Sequence, residues 1–156
     1  MEDANSVTTL MDSNLKLKPR EPEARNRSNN YTSLIGSLMY AAIATQPNIA
    51  YAVNRLASFT ANPTLSHWNK AKCVMWYLKG TKTYRIIYST NDLNNHVHRY
   101  SDASFANIFD CMSVSGYTFI KGGSAIIWGS KKPNSVSLSS TEAEYICLSD
   151  AVQDTL

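Results

Sequence analysis

The stretch SGYTFIKGGSAIIWGS, Ser115–Ser130, decides the fold. Ser115–Lys121 and Ser124–Ser130 both alternate apolar with small or polar residues, and Gly122-Gly123 stands between them. A period of two puts alternate side chains on opposite faces of a strand. Two adjacent glycines supply the positive φ angles that a two-residue hairpin needs. A β-hairpin is therefore expected here, and the surrounding chain is read outward from it.

Upstream, Val97–Ala103 reads as a strand, Asn91–Asn95 as a turn, and Tyr84–Ser89 as a further β-rich run. Downstream, Lys131–Ser135 reads as a loop and Val136-Ser137-Leu138 as a short alternating stretch. A last helix is expected to start near Ser140 or Thr141. Thr141-x-x-Glu144 has the spacing of a capping box, in which Glu144 would reach back to the Thr141 N–H.

Before the strands the period changes to that of a helix. Leu34, Leu38, Ala41 and Thr45 form one stripe, flanked by Ile35, Met39 and Ala42. Gln46-Pro47 ends that helix, since the residue before proline avoids helical geometry. Pro47 suits the first turn of a second helix, with Ile49, Ala52, Val53, Leu56 and Phe59 inward. Thr64 is the expected N-cap of a third, with Trp68, Ala71, Met75 and Leu78 inward and Gly80 as its stop. Residues 1–30 form a polar leader without sustained period, and Asn26–Asn30 reads as a loop.

The fold class that follows is α/β in the α+β sense. The divisions are a leader at 1–30, a three-helix segment at 31–82, and a strand-rich domain at 83–156. Hydrophobic residues make up 44% of 156, enough for a packed core. The acidic, polar start MEDANSVTT has no secretory pattern. Leu34–Val53, the most apolar stretch, is broken by Ser37, Thr45, Gln46, Pro47 and Asn48 and is too short to span a bilayer. Cys73, Cys111 and Cys147 are odd in number and contain no C-x-x-C pair, so neither a disulfide framework nor a zinc site is suggested. An intracellular, non-secreted protein is expected.

Charge is uneven. Residues 31–100 carry seven Lys and Arg against one Asp, whereas residues 101–156 carry three Lys against six Asp and Glu. That is the layout of a polyanion-binding surface followed by a cation-binding site, and equally of two solvated faces. Asp102, at the end of a predicted strand, and Glu144, early in the last helix, can share a divalent ion, because hard Mg²⁺ takes oxygen ligands. Two such ions can activate water against a phosphodiester. Asp102 as a turn residue and Glu144 as a cap are the structural alternatives. His96 and His98 share a strand face, with no third ligand near in sequence. Lys70, Lys72, Lys79 and Lys82, beside Trp68, Trp76 and Tyr77, are candidate nucleic-acid contacts.

YTSLIGSLMYAAIATQPNIAYAVNRLASFTANPTLSHWNKAKCVMWYLKGT, YSDASF, SVSGYTF and SKKPNSVSLSSTEAEY occur in this order. Together they resemble copia-type retrotransposon Pol polyproteins, from the tail of the reverse transcriptase into the ribonuclease H domain. The leader's MDSNLKL is similar to the thumb-side stretch before it. The resemblance implies a helical reverse-transcriptase connection followed by a ribonuclease H-like mixed sheet with one helix, incomplete at its end. It implies that Asp102 and Glu144, rather than Glu142, are metal-binding and catalytic carboxylates. It also implies Mg²⁺ as cofactor, and an RNA–DNA hybrid or template-primer duplex as partner.

Departures from the family pattern are specific. Ser104 and Phe105 replace its second Asp and its Trp in the Y-S-D-A-D-W pattern, Cys111-Met112 its basic pair, Gln46 its Arg and Cys147 its Ala. The family's third and fourth carboxylates lie beyond the position of Leu156, and Asp150 and Asp154 do not match them. The expectation is a catalytically inactive remnant. The alternatives are a Mg²⁺-dependent ribonuclease H within a longer product, and a non-catalytic nucleic-acid-binding fragment.

Overall fold

The computed structural model describes residues 10, 28–89, 96–105 and 112–154. In order these form α1 (Ser28–Ala44), a 3-10 turn (Pro47–Ile49), α2 (Ala50–Ala57), α3 (Leu65–Gly80), β1 (His98–Ser104), β2 (Val114–Lys121), β3 (Ser124–Lys131) and α4 (Ser140–Gln153). The class is α+β. The chain divides into two compact units at Tyr84/Arg85.

The first unit is built on α1, α2 and α3. Its core is Tyr31, Ile35, Leu38 and Ala42 from α1, Ile49, Ala52, Val53 and Leu56 around α2, and Ala71 and Val74 from α3. Each of the large aliphatic side chains contributes about 1.5–3 kcal/mol on burial. The buried stripe of α1 starts at Tyr31 and runs through Ile35 and Leu38, so Thr45 of the expected stripe is left exposed. Tyr31 sets this phase: its hydroxyl crosses to donate to the Leu56 carbonyl at 2.8 Å. Burial pushes that phenol well above its ordinary range.

Pro47 opens the 3-10 turn, and the stripe expected for the second helix is buried from Ile49 to Leu56. Thr64 caps α3, as expected from sequence, but Gly80 is helical and the C-cap is Thr81. Among the described residues α1 begins at Ser28, so Ser28, Asn29 and Asn30 are helical rather than loop.

In the second unit, β1, β2 and β3 form an antiparallel sheet in that order. Gly122 and Gly123 have φ of 60° and 80°, the left-handed values that the turn demands. The β2–β3 register shifts between Phe119 and Ile120, two residue pairs before the turn. The mixed sheet expected from the resemblance is thus, among the described residues, antiparallel only. Arg85–Ser89 is not a strand. It lies against the hairpin end, with Ser89 N–H donating to the Gly122 carbonyl at 2.8 Å and the Tyr88 hydroxyl to Ala125 at 2.8 Å. Val136–Leu138 is likewise not a strand. The expected turn at 91–95 lies outside the described residues.

The helix α4 packs on β1 and β2. It buries Ala143, Cys147 and Ala151, spaced by four, and Ala151 meets Tyr117, Phe119 and Ile127 of the sheet. Small residues at i, i+4 and i+8 let the helix approach the strands closely. Across the hairpin, the Tyr117 ring lies over Gly129, its register partner, where an added Cβ would run into the ring. At the far end Lys131 and Asp154 pair at 3.4 Å. No helix among the described residues is long and apolar enough to cross a membrane.

Candidate metal centre and nucleic-acid interface

Asp102 stands in β1 opposite Gly116 of β2. Directly opposed residues share a sheet face, and the Arg99 guanidinium lies over the Phe119 ring, its opposite number, at 5.9 Å. Arg99, Ser101 and Ala103 therefore share the α4 face of the sheet. His98, Tyr100 and Asp102 alternate onto the other, and the Asp102 side chain is exposed.

Glu144 is exposed near the start of α4. It does not cap that helix. Ser139 is the N-cap, its hydroxyl accepting from Glu142 N–H at 3.1 Å, and the Glu142 carboxylate accepts from Leu138 N–H at 2.7 Å. The cap stands two residues before the expected Thr141, because Ser139 is the residue with extended geometry at the helix entrance, and the Glu142 carboxylate reaches the preceding Leu138 N–H rather than the N-cap N–H of a capping box. The capping role thus falls to Glu142 and leaves the Glu144 carboxylate outside it.

Cys147 joins the two segments. Its buried thiol donates to the Asp102 carbonyl at 3.1 Å and the Gly116 carbonyl at 3.3 Å. Burial pushes this thiol up, and the Glu144 charge adds to the rise. Asp102 and Glu144 thus belong to backbone segments held together through one side chain. Sequence reading noted Cys147 only as a departure from alanine; its i+4 spacing from Ala143 was the signal that it faces the sheet.

Two carboxylates have the hard oxygen donors that suit Mg²⁺. A pair of ions needs more ligands than two side chains offer. Among the described residues, no group of three or more His, Cys, Asp and Glu is placed to hold a metal. The residues present fit part of a centre. His96 and His98 are both exposed, as a solvated strand edge would be.

On α3, Lys72, Trp76 and Lys79 stand four and three residues apart and so share a stripe. Lys72 Nζ sits 5.3 Å from the Trp68 ring centroid, within cation–π range. Lys70 is on a different side of the helix, and Lys82 is exposed beyond its end. The buried stripe of α3 is His67, Ala71 and Val74, with Trp68, Met75 and Leu78 half-buried at its margins. Sequence reading missed His67 as a core residue, although Thr64-x-x-His67 has capping-box spacing.

The secreted RxLR effector protein 161 of Plasmopara viticola is 39% identical over 81% of this chain and 89% of its own length. The retrovirus-related Pol polyprotein from transposon TNT 1-94 of Nicotiana tabacum is 35% identical over 100% of this chain and 12% of the polyprotein. That from transposon RE2 of Arabidopsis thaliana is 39% identical over 91% of this chain and 10% of the polyprotein. The chain thus spans about a tenth of the length of these polyproteins. No family model matches the chain. No solved structure matches it. With identities above 30% across most of its length to Pol polyproteins of several transposons, the chain belongs to the retrotransposon Pol polyprotein family.

Proposed function

We propose that the chain is the reverse transcriptase–ribonuclease H region of a copia-type Pol polyprotein and that, by itself, it does not cut nucleic acid. The observation that carries the regional assignment is α4 packed across β1 and β2, with Cys147 bound to the Asp102 carbonyl one helical turn from Glu144. The ribonuclease H-like reading pairs a strand carboxylate with a helix carboxylate, and it is the segments carrying Asp102 and Glu144 that are in contact, with the Asp102 side chain on the sheet face away from α4. The inactivity rests on donor number: Asp102 and Glu144 are two hard ligands where a two-ion centre takes more. A labelled RNA–DNA hybrid incubated with the chain and Mg²⁺ or Mn²⁺ is expected to stay intact. Cleavage that disappears in Asp102→Asn would overturn the inactivity.

Within a longer Pol product, the same two residues would serve as Mg²⁺ ligands for hydrolysis of the RNA strand. A second reading concerns binding. No carboxylate occurs from Ser28 to Tyr84, whereas Arg55, Lys70, Lys72, Lys79 and Lys82 do. This segment would hold the phosphates of a template-primer duplex. Each phosphate neutralised adds about 0.9 to the slope of log affinity against log salt on duplex DNA. Retention on duplex or hybrid that is unchanged between low and moderate salt would exclude this reading.

A further inference from the structure

We propose that His67 is an acid-sensitive latch on the first unit: its neutral imidazole closes the N-terminus of α3, and proton uptake opens it. The His67 N–H donates to the Thr64 hydroxyl at 3.3 Å, and the Thr64 N–H donates to His67 Nδ1 at 3.0 Å. The ring stacks on Phe59, with centroids 4.2 Å apart and planes 15° from parallel, and only 1% of the residue is exposed.

A capping box normally places Glu or Gln here, and their oxygens accept a backbone N–H at neutral pH. An imidazole accepts through Nδ1 only while that nitrogen carries no proton. On protonation Nδ1 can no longer accept from the Thr64 N–H; Nδ1–H turns to the Thr64 hydroxyl 3.1 Å away, the Thr64 N–H loses its acceptor, and a full charge sits in a sealed position.

Among the described residues of the first unit, nothing anionic offsets that charge. The helix α1 has no charged side chain and α2 has only Arg55, while α3 itself carries Lys70, Lys72 and Lys79. The remaining titratable groups on these helices are the phenols of Tyr31, Tyr40, Tyr51 and Tyr77 and the Cys73 thiol. Phe59, stacked on the ring, brings none.

The sign follows from burial, which pushes His67 below the ordinary imidazole value of 6.5. The unfolded chain takes the proton near 6.5 and the folded chain only at lower pH. Stability is therefore complete above 6.5 and falls as pH drops through that value toward the folded one. One proton sets the limit, about a tenfold change in the folded-to-unfolded ratio per pH unit.

Hydrogen exchange of the full chain from about pH 8 to about pH 5, corrected for intrinsic exchange, reads α3 separately. Protection of α3 is expected to fall by up to about tenfold per pH unit through the imidazole range. In His67→Gln, whose amide oxygen accepts at every pH, it is expected to stay flat. A flat profile for the unaltered chain overturns the proposal, as does His67→Gln falling in parallel with it. Should His67→Gln not fold, the ring resonances of His67 in the unaltered chain decide. Titration below 6.5 together with loss of α3 protection supports the latch. Titration at or above 6.5, or titration without that loss, overturns it.

Discussion

Tyr31 ties α1 to α2 through a single hydroxyl. Tyr31→Phe keeps the packing but removes the cross-helix bond, leaving the Leu56 carbonyl with the Phe59 N–H at 3.1 Å, so thermal unfolding should show a loss of about 1 kcal/mol. An unchanged midpoint would mean that the Phe59 N–H alone satisfies the carbonyl and that the tyrosine hydroxyl adds nothing. Ser113 tests the opposite case. Its hydroxyl is buried and has no hydrogen-bond partner among the described residues. Ser113→Ala should be neutral or stabilising, by up to about 1 kcal/mol, because it removes an unmet polar group. A clear loss of stability in denaturant unfolding would contradict this. Cys147→Ala leaves the small face of α4 in place, so a cost below about 1.5 kcal/mol is expected. These residue-scale contacts were not legible in the sequence. A phenol reaching across 25 positions, or a thiol reaching across 45, has no local signature.

Elements were more legible, and their errors have definite causes. The hairpin could be read because Gly122-Gly123 allows little else and the period-two runs flank it on both sides. The register was not, because it depends on the Tyr117 ring lying over Gly129. Gly129→Val would push a side chain into that buried ring, at about 1–3 kcal/mol; an unaltered melting midpoint for the second unit would refute the packing. The start of α4 was legible near Ser140, but its cap was read two residues late because Ser139, Ser140 and Thr141 are all competent caps and Glu142 and Glu144 both competent partners. Backbone geometry chose Ser139 and Glu142. Glu142→Ala should therefore cost about 0.5–2 kcal/mol, and Glu144→Ala much less. Equal losses in calorimetry would restore the capping role to Glu144. On α3 the inward stripe was misplaced by one residue, since a histidine is not counted apolar until its cap and its stack are seen.

For the whole molecule, the division at Tyr84/Arg85 separates a unit whose described part has no carboxylate from one that carries Asp102 and Glu144. Family membership was legible because long ordered strings, not isolated residues, carry it. The candidate centre was legible only in part. Sequence supplied two carboxylates, and the thiol contact that holds their segments together came from the fold. The most direct measurement is hybrid cleavage by a longer Pol product containing this segment, assayed apart from its DNA synthesis. Asp102→Asn and Glu144→Gln should each reduce cleavage by at least about a hundredfold, roughly 2.7 kcal/mol of barrier, and leave synthesis intact. Cleavage unchanged in both variants would contradict the assignment of these two residues to the metal centre.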